Sequence, residues 1–161
     1  MGPYFIDLEA FQHGHKTIIK ELCILDIDRP LRPLYFLFTP PQAWQTLSTA
    51  EQDSYDYQER HLHQLSWGEG ESRYCRKCVY HHIKENFPAC ENAIFYVMGH
   101  EKCKVLAKMF PKLNFIEYNI TFNTLPPTPH NIFCHYRNHG EHCASLKCFR
   151  LYDHYISSCH S

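Results

Sequence analysis

The sequence predicts an α/β fold in which a mixed five-stranded sheet is flanked by helices. Residues 1–40 hold three strand-like segments joined by short turns, and after Pro40-Pro41 the strand-like segments alternate with helical ones. The length of 161 residues suits one domain that buries its own core. We therefore expect a single domain over residues 1–161, with three antiparallel strands followed by two parallel ones.

The N-terminal part predicts the antiparallel strands. Residues 4–11 alternate between two faces, residues 16–27 form a longer β-branched run, and residues 34–39 are continuously apolar, as in a central strand. The connection at Gly14 is short enough for a hairpin, and residues 28–33 make a second turn. Together they predict a three-stranded meander.

Two helices are expected after the meander. Ser48 or Thr49 can cap a helix that continues to about His63. After a loop, Ser72 is predicted to open a second helix, which Pro88 stops.

The remaining segments alternate between strand and helix. We predict a strand over 92–99, a helix over 100–110, a strand over 113–120, an irregular segment over 124–133 and a last helix over about 142–156. The resulting order, β-β-β-α-α-β-α-β-α, is the plan of the ribonuclease H-like fold. Right-handed crossovers would place the last two strands parallel to the first.

Charge and composition narrow the possible partners. There are 16 Lys and Arg against 17 Asp and Glu, so the chain lacks the basic character typical of long-duplex binders, although a local basic groove remains compatible. No apolar run reaches 18 residues and no signal peptide is recognisable, so we expect no membrane partner. Nine cysteines without a secretory signal indicate a reducing compartment, and we expect an intracellular protein, cytoplasmic or nuclear.

Two carboxylates on the first predicted strand could carry chemistry. Alternation places Asp7 and Glu9 on one face. Paired carboxylates of this kind begin the two-metal sites of nucleases, where Mg²⁺ ions clamp the attacking and leaving oxygens. The alternative is the polar, solvent-facing side of an edge strand, and the pattern alone favours that alternative.

Three segments resemble the DEDD-type 3′–5′ exonucleases. "FIDLEAF" (5–11) resembles their opening Asp-x-Glu motif, "IFYVMGHEKCKVL" (94–106) the segment that holds their third acid, and "HCASLKC" (142–148) their final helix. The resemblance implies an RNase H-like fold over nearly the whole chain.

The same resemblance implies an incomplete set of acids. Asp7 and Glu9 match the first two, but the third position falls at about Val105 and the fourth at about Lys147. An apolar group and a cation there would leave Mg²⁺ short of ligand charge. An active exonuclease would have to recruit other acids, for which Asp153 and Glu117 are the candidates.

A cluster of cysteine and histidine near the C-terminus predicts a zinc site. Thiolate and imidazole are the ligands that Zn²⁺ prefers, and a structural site needs four. The alternative is that the cysteines pack as small apolar side chains with surface histidines between them. The members of the cluster are Cys134, His135, His139, His142, Cys143 and Cys148.

The segment "CHYRNHGEHCASLKC" (134–148) resembles the end of the Maelstrom domain, an RNase H-like family with a Glu-Cys-His-Cys zinc set in place of the DEDD acids. The resemblance implies a structural Zn²⁺ held by Glu21, Cys134, His139 and Cys143. Because the family histidine usually lies where this chain has Arg137, His135 stays open as a substitute, and His142 and Cys148 are further alternates.

The Maelstrom resemblance also implies a function. The family works with small, piRNA-type RNAs in defence against transposons, and some members cleave RNA without a metal ion. It implies a module that binds single-stranded RNA or protein partners, with lost or atypical nuclease activity.

Several side chains could contact nucleic acid directly. Four lysines recur at helical spacing after Gly99 and could track phosphates, although such lysines are more often the solvated face of a helix. They are Lys102 and Lys104, which we favour, with Lys108 and Lys112. Trp44, Trp67 and Tyr74 could stack on bases, but core packing or a lid over the sheet is the commoner use of aromatics in so aromatic a chain.

A Cys-x-x-Cys motif lies at Cys75 and Cys78, followed by His81 and His82. Half of a second zinc site is one interpretation, but no partner pair is nearby. A redox pair should occupy a strand-to-helix turn, whereas these residues are predicted inside a helix. We therefore expect the two cysteines to pack in the core.

Three functions remain open on the sequence: an RNA- or protein-binding module with a zinc ion, a Mg²⁺-dependent 3′–5′ exonuclease that uses Asp7 and Glu9, and a protein-interaction scaffold without a nucleic-acid role.

Overall fold

The computed structural model describes residues 2–120 and 143–159. The described elements are a six-stranded mixed sheet and four α-helices. In chain order they are β1 (Tyr4–His13), β2 (Lys16–Asp26), β3 (Leu34–Thr39), α1 (Thr49–Gln58), β4 (Ser72–Arg73), α2 (Arg76–Asn86), β5 (Ile94–Val97), α3 (His100–Met109), β6 (Asn114–Glu117) and α4 (Ala144–Cys159).

The sheet has the strand order β4-β3-β2-β1-β5-β6. β1 pairs antiparallel with β2, and β2 pairs antiparallel with β3. β5 runs parallel to β1, and β6 runs parallel to β5. The predicted mixed sheet, with antiparallel pairing of the first three strands and parallel strands after them, is therefore confirmed.

The prediction of five strands is wrong by one. The two-residue strand β4 adds a parallel edge beside β3, with Phe38 opposite Ser72. Because Ser72 and Arg73 extend along the sheet, α2 starts at Arg76 rather than near Ser72. So short a strand has no periodicity that a sequence pattern could reveal.

Close packing of the preceding loop against β3 explains why β4 forms. A Cβ on Gly70 would lie 2.4 Å from the carbonyl carbon of Phe38, so only glycine fits there. The ammonium of Lys20, which is fully buried, donates to the carbonyls of Phe38 at 2.7 Å and Trp67 at 3.0 Å. Lys20 lies where the β1–β2 register shifts next to Glu9 and Ala10. This irregularity lets it reach the loop instead of pairing across the strands.

Helix α1 starts as predicted. Ser48 accepts from the N–H of Glu51, and the Glu51 carboxylate accepts from the N–H of Ser48, which completes a capping box. α1 ends at Gln58, and a π-helical turn follows over Glu59–His63. The predicted helix end near His63 is therefore the end of this turn.

Helices cover both faces of the sheet. On one face, Ile6 and Leu22 pack with Val79 and Ile83 of α2 and Leu106 of α3. On the other face, a smaller apolar cluster joins the sheet to α4. It includes Phe5 and Cys23 of the sheet and Ala144, Cys148 and Leu151 of α4. Strand alternation puts Asp7 and Glu9 on the face that α4 covers. Within the described residues, no helix is long and apolar enough to cross a bilayer.

Candidate functional site

Asp7 and Glu9 lie inside the protein. β1 is a central strand between β2 and β5, and α4 lies across this face. Asp7 is 0% exposed and Glu9 is 9% exposed. The alternative that these acids form the solvent-facing side of an edge strand is therefore wrong. β1 lies inside the sheet, and α4 covers the face that carries the two carboxylates.

Two lysines neutralise the two carboxylates. The Lys102 ammonium from α3 lies 2.7 Å from Asp7 Oδ1 and 3.3 Å from Glu9 Oε1. The Lys147 ammonium from α4 lies 2.7 Å from Glu9 Oε1. We call Asp7, Glu9, Lys102 and Lys147 the charge cluster. Two negative and two positive groups leave it formally neutral.

The pKa values within the charge cluster follow from burial and these contacts. Burial raises the pKa of Asp7 to about 6, although Lys102 and Lys147 oppose the shift. Burial also acts to raise the pKa of Glu9, but the two lysines outweigh it and the net pKa lies below the ordinary value. Burial acts to lower the pKa of Lys102, and the two carboxylates reverse this and raise it well above the ordinary value. Glu9 and Lys102 are therefore charged near neutral pH.

Asp7 differs from Glu9 in its hydrogen bonding. Its Oδ1 accepts from Lys102, whereas its Oδ2 is buried and has no hydrogen-bond partner among the described residues. A buried carboxylate oxygen without a partner favours the protonated form, which agrees with the raised pKa of Asp7.

The third and fourth acid positions of the exonuclease pattern hold other groups. Val105, at the third, packs half-buried against the apolar core of α2 and α3. Lys102, one turn earlier on α3, supplies a cation to the carboxylates instead. Lys147, at the fourth, contacts Glu9 directly.

The two substitute acids do not join the charge cluster. Glu117 lies on β6, one strand further from β1 than β5, and its carboxylate is 3.4 Å from His100 Nδ1. Asp153 is half-buried on α4, six positions after Lys147.

Glu21 meets the start of α4. It lies fully buried on β2, and its Oε1 accepts from the N–H of Ala144 at 2.7 Å, while its Oε2 accepts from the Tyr35 hydroxyl at 2.5 Å. Cys143, the residue before Ala144, is also fully buried. Two of the four predicted zinc ligands, Glu21 and Cys143, therefore come from segments that one hydrogen bond holds together.

The other predicted ligands, Cys134 and His139, lie outside the described residues, as do the alternates His135 and His142 and the predicted irregular segment 124–133. Residues 2–120 and 143–159 contain no group of three or more His, Cys, Asp or Glu arranged to hold a metal ion. Carboxylate and thiolate are both groups that Zn²⁺ accepts as ligands, so the chemistry of Glu21 and Cys143 is compatible with the predicted site.

Cys148, another alternate, has different surroundings. Its thiol lies 3.3 Å from the carbonyl oxygen of Cys23 and 3.5 Å from that of Phe5, and burial raises its pKa well above the ordinary value. These contacts favour a protonated thiol that donates to the sheet backbone.

A basic groove lies on the opposite side of the sheet from α4. It encloses about 780 Å³ between the β1–β2 hairpin, the start of α2 and the C-terminal half of α3. Tyr74 lies half-buried in its wall. Its charged lining residues are all cations, and the Lys16 ammonium among them lies 3.2 Å from the carboxylate of Glu51, which is outside the lining. The four cations are Lys16, Arg73, Arg76 and Lys108.

Of the side chains predicted to contact nucleic acid, some line the basic groove and others lie elsewhere. Tyr74 lines the basic groove, whereas Trp67 is buried and stacks on Tyr55 at 5.1 Å between ring centroids. Lys102 is bonded within the charge cluster, and Lys104 is exposed at 3.8 Å from Glu101. The groove residues Arg73 and Arg76 escaped the sequence analysis, since they are distant in sequence from Lys16 and Lys108 and only the fold collects them.

No protein-family model matches the chain, and comparison with curated proteins gives no significant match.

Proposed function

We propose that the protein is an RNase H-like module that binds single-stranded RNA in the basic groove and has lost Mg²⁺-dependent nuclease activity. The observation that carries the proposal is the absence of any carboxylate among the described residues that line a groove with four cations. Phosphates are favoured beside such a lining, and Tyr74 offers a ring on which a base can stack.

The number of cations in the groove favours a single strand. A lining of four cations suits a few phosphates, which matches a short single-stranded segment rather than a long duplex. The net charge of the chain is close to zero, so electrostatic binding of RNA depends on this local surface. A local surface of this kind also suits a short segment better than a long duplex.

The charge cluster supports the loss of Mg²⁺ chemistry. Two-metal catalysis needs carboxylates whose negative charge is available to divalent ions. Here ammonium groups already neutralise Asp7 and Glu9 at hydrogen-bonding distance. A divalent ion would have to displace two cations that reach the site from separate helices.

A structural zinc ion is the second part of the proposal. Glu21, Cys134, His139 and Cys143 would hold it and join the start of α4 to β2, on the face that carries the charge cluster. The zinc ion would add folding free energy and no catalytic step. In lineage, we place the chain with the Maelstrom-like descendants of DEDD exonucleases, and we propose a role with small RNAs in defence against transposons.

Fluorescence anisotropy with a labelled single-stranded RNA tests RNA binding. Arg76→Glu reverses a charge in the groove, and Arg32→Glu makes the same change in the exposed β2–β3 turn, away from the groove. We expect Arg76→Glu to weaken binding by about tenfold or more, equivalent to ~1.4 kcal/mol, and Arg32→Glu to leave it nearly unchanged. Equal effects of the two variants would overturn the assignment of the groove.

Two other results decide against the proposal as a whole. If the wild-type protein binds no RNA at low salt, the scaffold function is the better account. If it degrades RNA in Mg²⁺ or Mn²⁺ and Asp7→Ala abolishes the activity, the protein is an exonuclease and the charge cluster opens to metal.

A further inference from the structure

The Cys-x-x-Cys motif lies where a strand turns into a helix. β4 ends at Arg73, Cys75 is the N-cap of α2, and Cys78 is the third residue of the helix. The prediction that the whole motif lies inside a helix is wrong for Cys75, because the helix starts later than expected, and right for Cys78. The prediction that both cysteines pack in the core is also wrong, since Cys75 is half-exposed and Cys78 is exposed.

Hydrogen bonds join Cys75 and Cys78. The Cys75 sulfur caps the helix by accepting from the N–H of Cys78 at 3.3 Å. The Cys78 side chain also hydrogen-bonds to Cys75, which lowers the pKa of Cys75, and the Cys78 N–H and Lys77 add to this. The same bond raises the pKa of Cys78. One sulfur is thus the better nucleophile and the other holds its proton longer, which distinguishes an attacking from a resolving thiol.

The flanking residues also favour a reactive thiol. Arg73, Arg76 and Lys77 are exposed and lie next to the motif in sequence, and the charge of Lys77 acts on Cys75. Cations and a helix N-terminus both stabilise a thiolate. The other described cysteines lack this combination: Cys23, Cys90, Cys143 and Cys148 are buried, Cys103 is half-buried, and the exposed Cys159 is the last residue of α4.

We propose that Cys75 and Cys78 form a thiol–disulfide exchange site that reacts with disulfides of the glutathione class. The Cys75 thiolate attacks one sulfur of the disulfide, which forms a mixed disulfide and releases one thiolate. The Cys78 sulfur, after losing its proton to solvent, then attacks Cys75 and releases the second thiolate. In sum, the protein dithiol loses two electrons and two protons, and one disulfide becomes two thiols.

Peptide mapping tests the disulfide directly. Trypsin cleaves after Arg76 and Lys77, so it separates the cysteines into peptides Tyr74–Arg76 and Cys78–Lys84 unless a disulfide joins them. After the full-length protein is equilibrated with glutathione disulfide and its free thiols are alkylated, we expect the two peptides to be recovered linked. Recovery of both peptides as separate alkylated species would overturn the proposal.

Two variants test the order of attack. Cys78→Ser removes the resolving thiol, so the glutathione mixed disulfide should accumulate at Cys75, several-fold more than at exposed Cys159. Cys75→Ser removes the attacking thiol and should leave Cys78 mostly free. Serine is a good N-cap, so this variant keeps the start of α2, which circular dichroism verifies. Equal glutathione loading of Cys75 and Cys159 in Cys78→Ser would show that Cys75 is an ordinary surface thiol.

Discussion

Glu9 and Glu21 are direct neighbours across β1 and β2, and the first turn of α4 provides a partner for each. Lys147 lies 2.7 Å from Glu9, and the N–H of Ala144 donates to Glu21 at 2.7 Å. Two carboxylates opposite each other on one buried face repel unless each has its own donor. The docking of α4 therefore depends on this pair of acids as well as on apolar packing.

We expect Lys147→Met to destabilise the fold by about 3–5 kcal/mol, because it leaves Glu9 without one of its two cations inside the protein. Adding Glu9→Gln should recover part of the loss, since the buried charge is then removed as well. Urea unfolding of the single and double variants measures both effects. Losses that simply add would mean that the two side chains are energetically independent.

The carboxyl group of Asp7 should titrate near pH 6, which ¹³C NMR of the side chain measures. Lys102→Met should raise this pKa further, because Lys102 favours the charged form.

The folded pKa of Asp7 lies above its ordinary value of 3.8, so this group's contribution to stability falls as the pH rises from about 4 to 6. Lys102→Met should therefore cost more stability at pH 7 than at pH 5. An Asp7 pKa unchanged in the variant would contradict the assigned contact.

Divalent cations should distinguish the wild-type cluster from one without lysines. In Lys102→Met/Lys147→Met, Asp7 and Glu9 have no cation at contact distance, and a 190 Å³ cleft lined in part by Glu9 gives access from solvent. We expect millimolar Mg²⁺ or Mn²⁺ to raise the Tm of this variant and to leave that of the wild type unchanged. A similar rise in both proteins would show that the lysines do not block metal binding.

Zinc removal should act through Cys143. If it is a ligand, Cys143→Ser should lower stability by several kcal/mol and abolish the effect of a chelator on the Tm, because structural zinc contributes directly to folding. Cys90→Ser is the matched control, since Cys90 is equally buried but lies in the other core cluster. Burial of its hydroxyl should cost only ~1–3 kcal/mol and leave the chelator effect intact. Purified protein that holds no zinc would refute the metal site.

Salt dependence measures the number of phosphates that the groove neutralises. With three or four of its cations engaged, log Kd for single-stranded RNA should rise with log[salt] with a slope of about 2–3. Arg76→Glu should reduce this slope by about one or more, while Arg32→Glu should not. A slope near zero in the wild type would mean that any RNA binding is not electrostatic.

The periodic segments of the chain were predictable. Alternation identified β1 and put Asp7 and Glu9 on one face, and the serine-to-glutamate spacing identified the cap of α1 at Ser48. The last helix was expected over 142–156 and lies at Ala144–Cys159. These features are local, since each depends on residues a few positions apart.

The sites were less predictable because their members are far apart in sequence. Lys102 was assigned to phosphates, yet it lies 95 positions from the Asp7 carboxylate that it contacts. The chemistry of Cys75 changed with a helix boundary, which the two-residue strand β4 shifted by a few positions. Boundaries of this kind are set by packing against β3 and leave no periodic signal.

The sequence by itself determined the order and the type of the longer strands and of the helices, because hydrophobic periodicity and capping act over a few residues. Only the tertiary structure decided that two lysines neutralise the paired acids, that four cations meet in one groove and that two cysteines lie at a helix start. Charges and thiols interact through space, so their roles depend on which distant segments the sheet brings within a few ångströms.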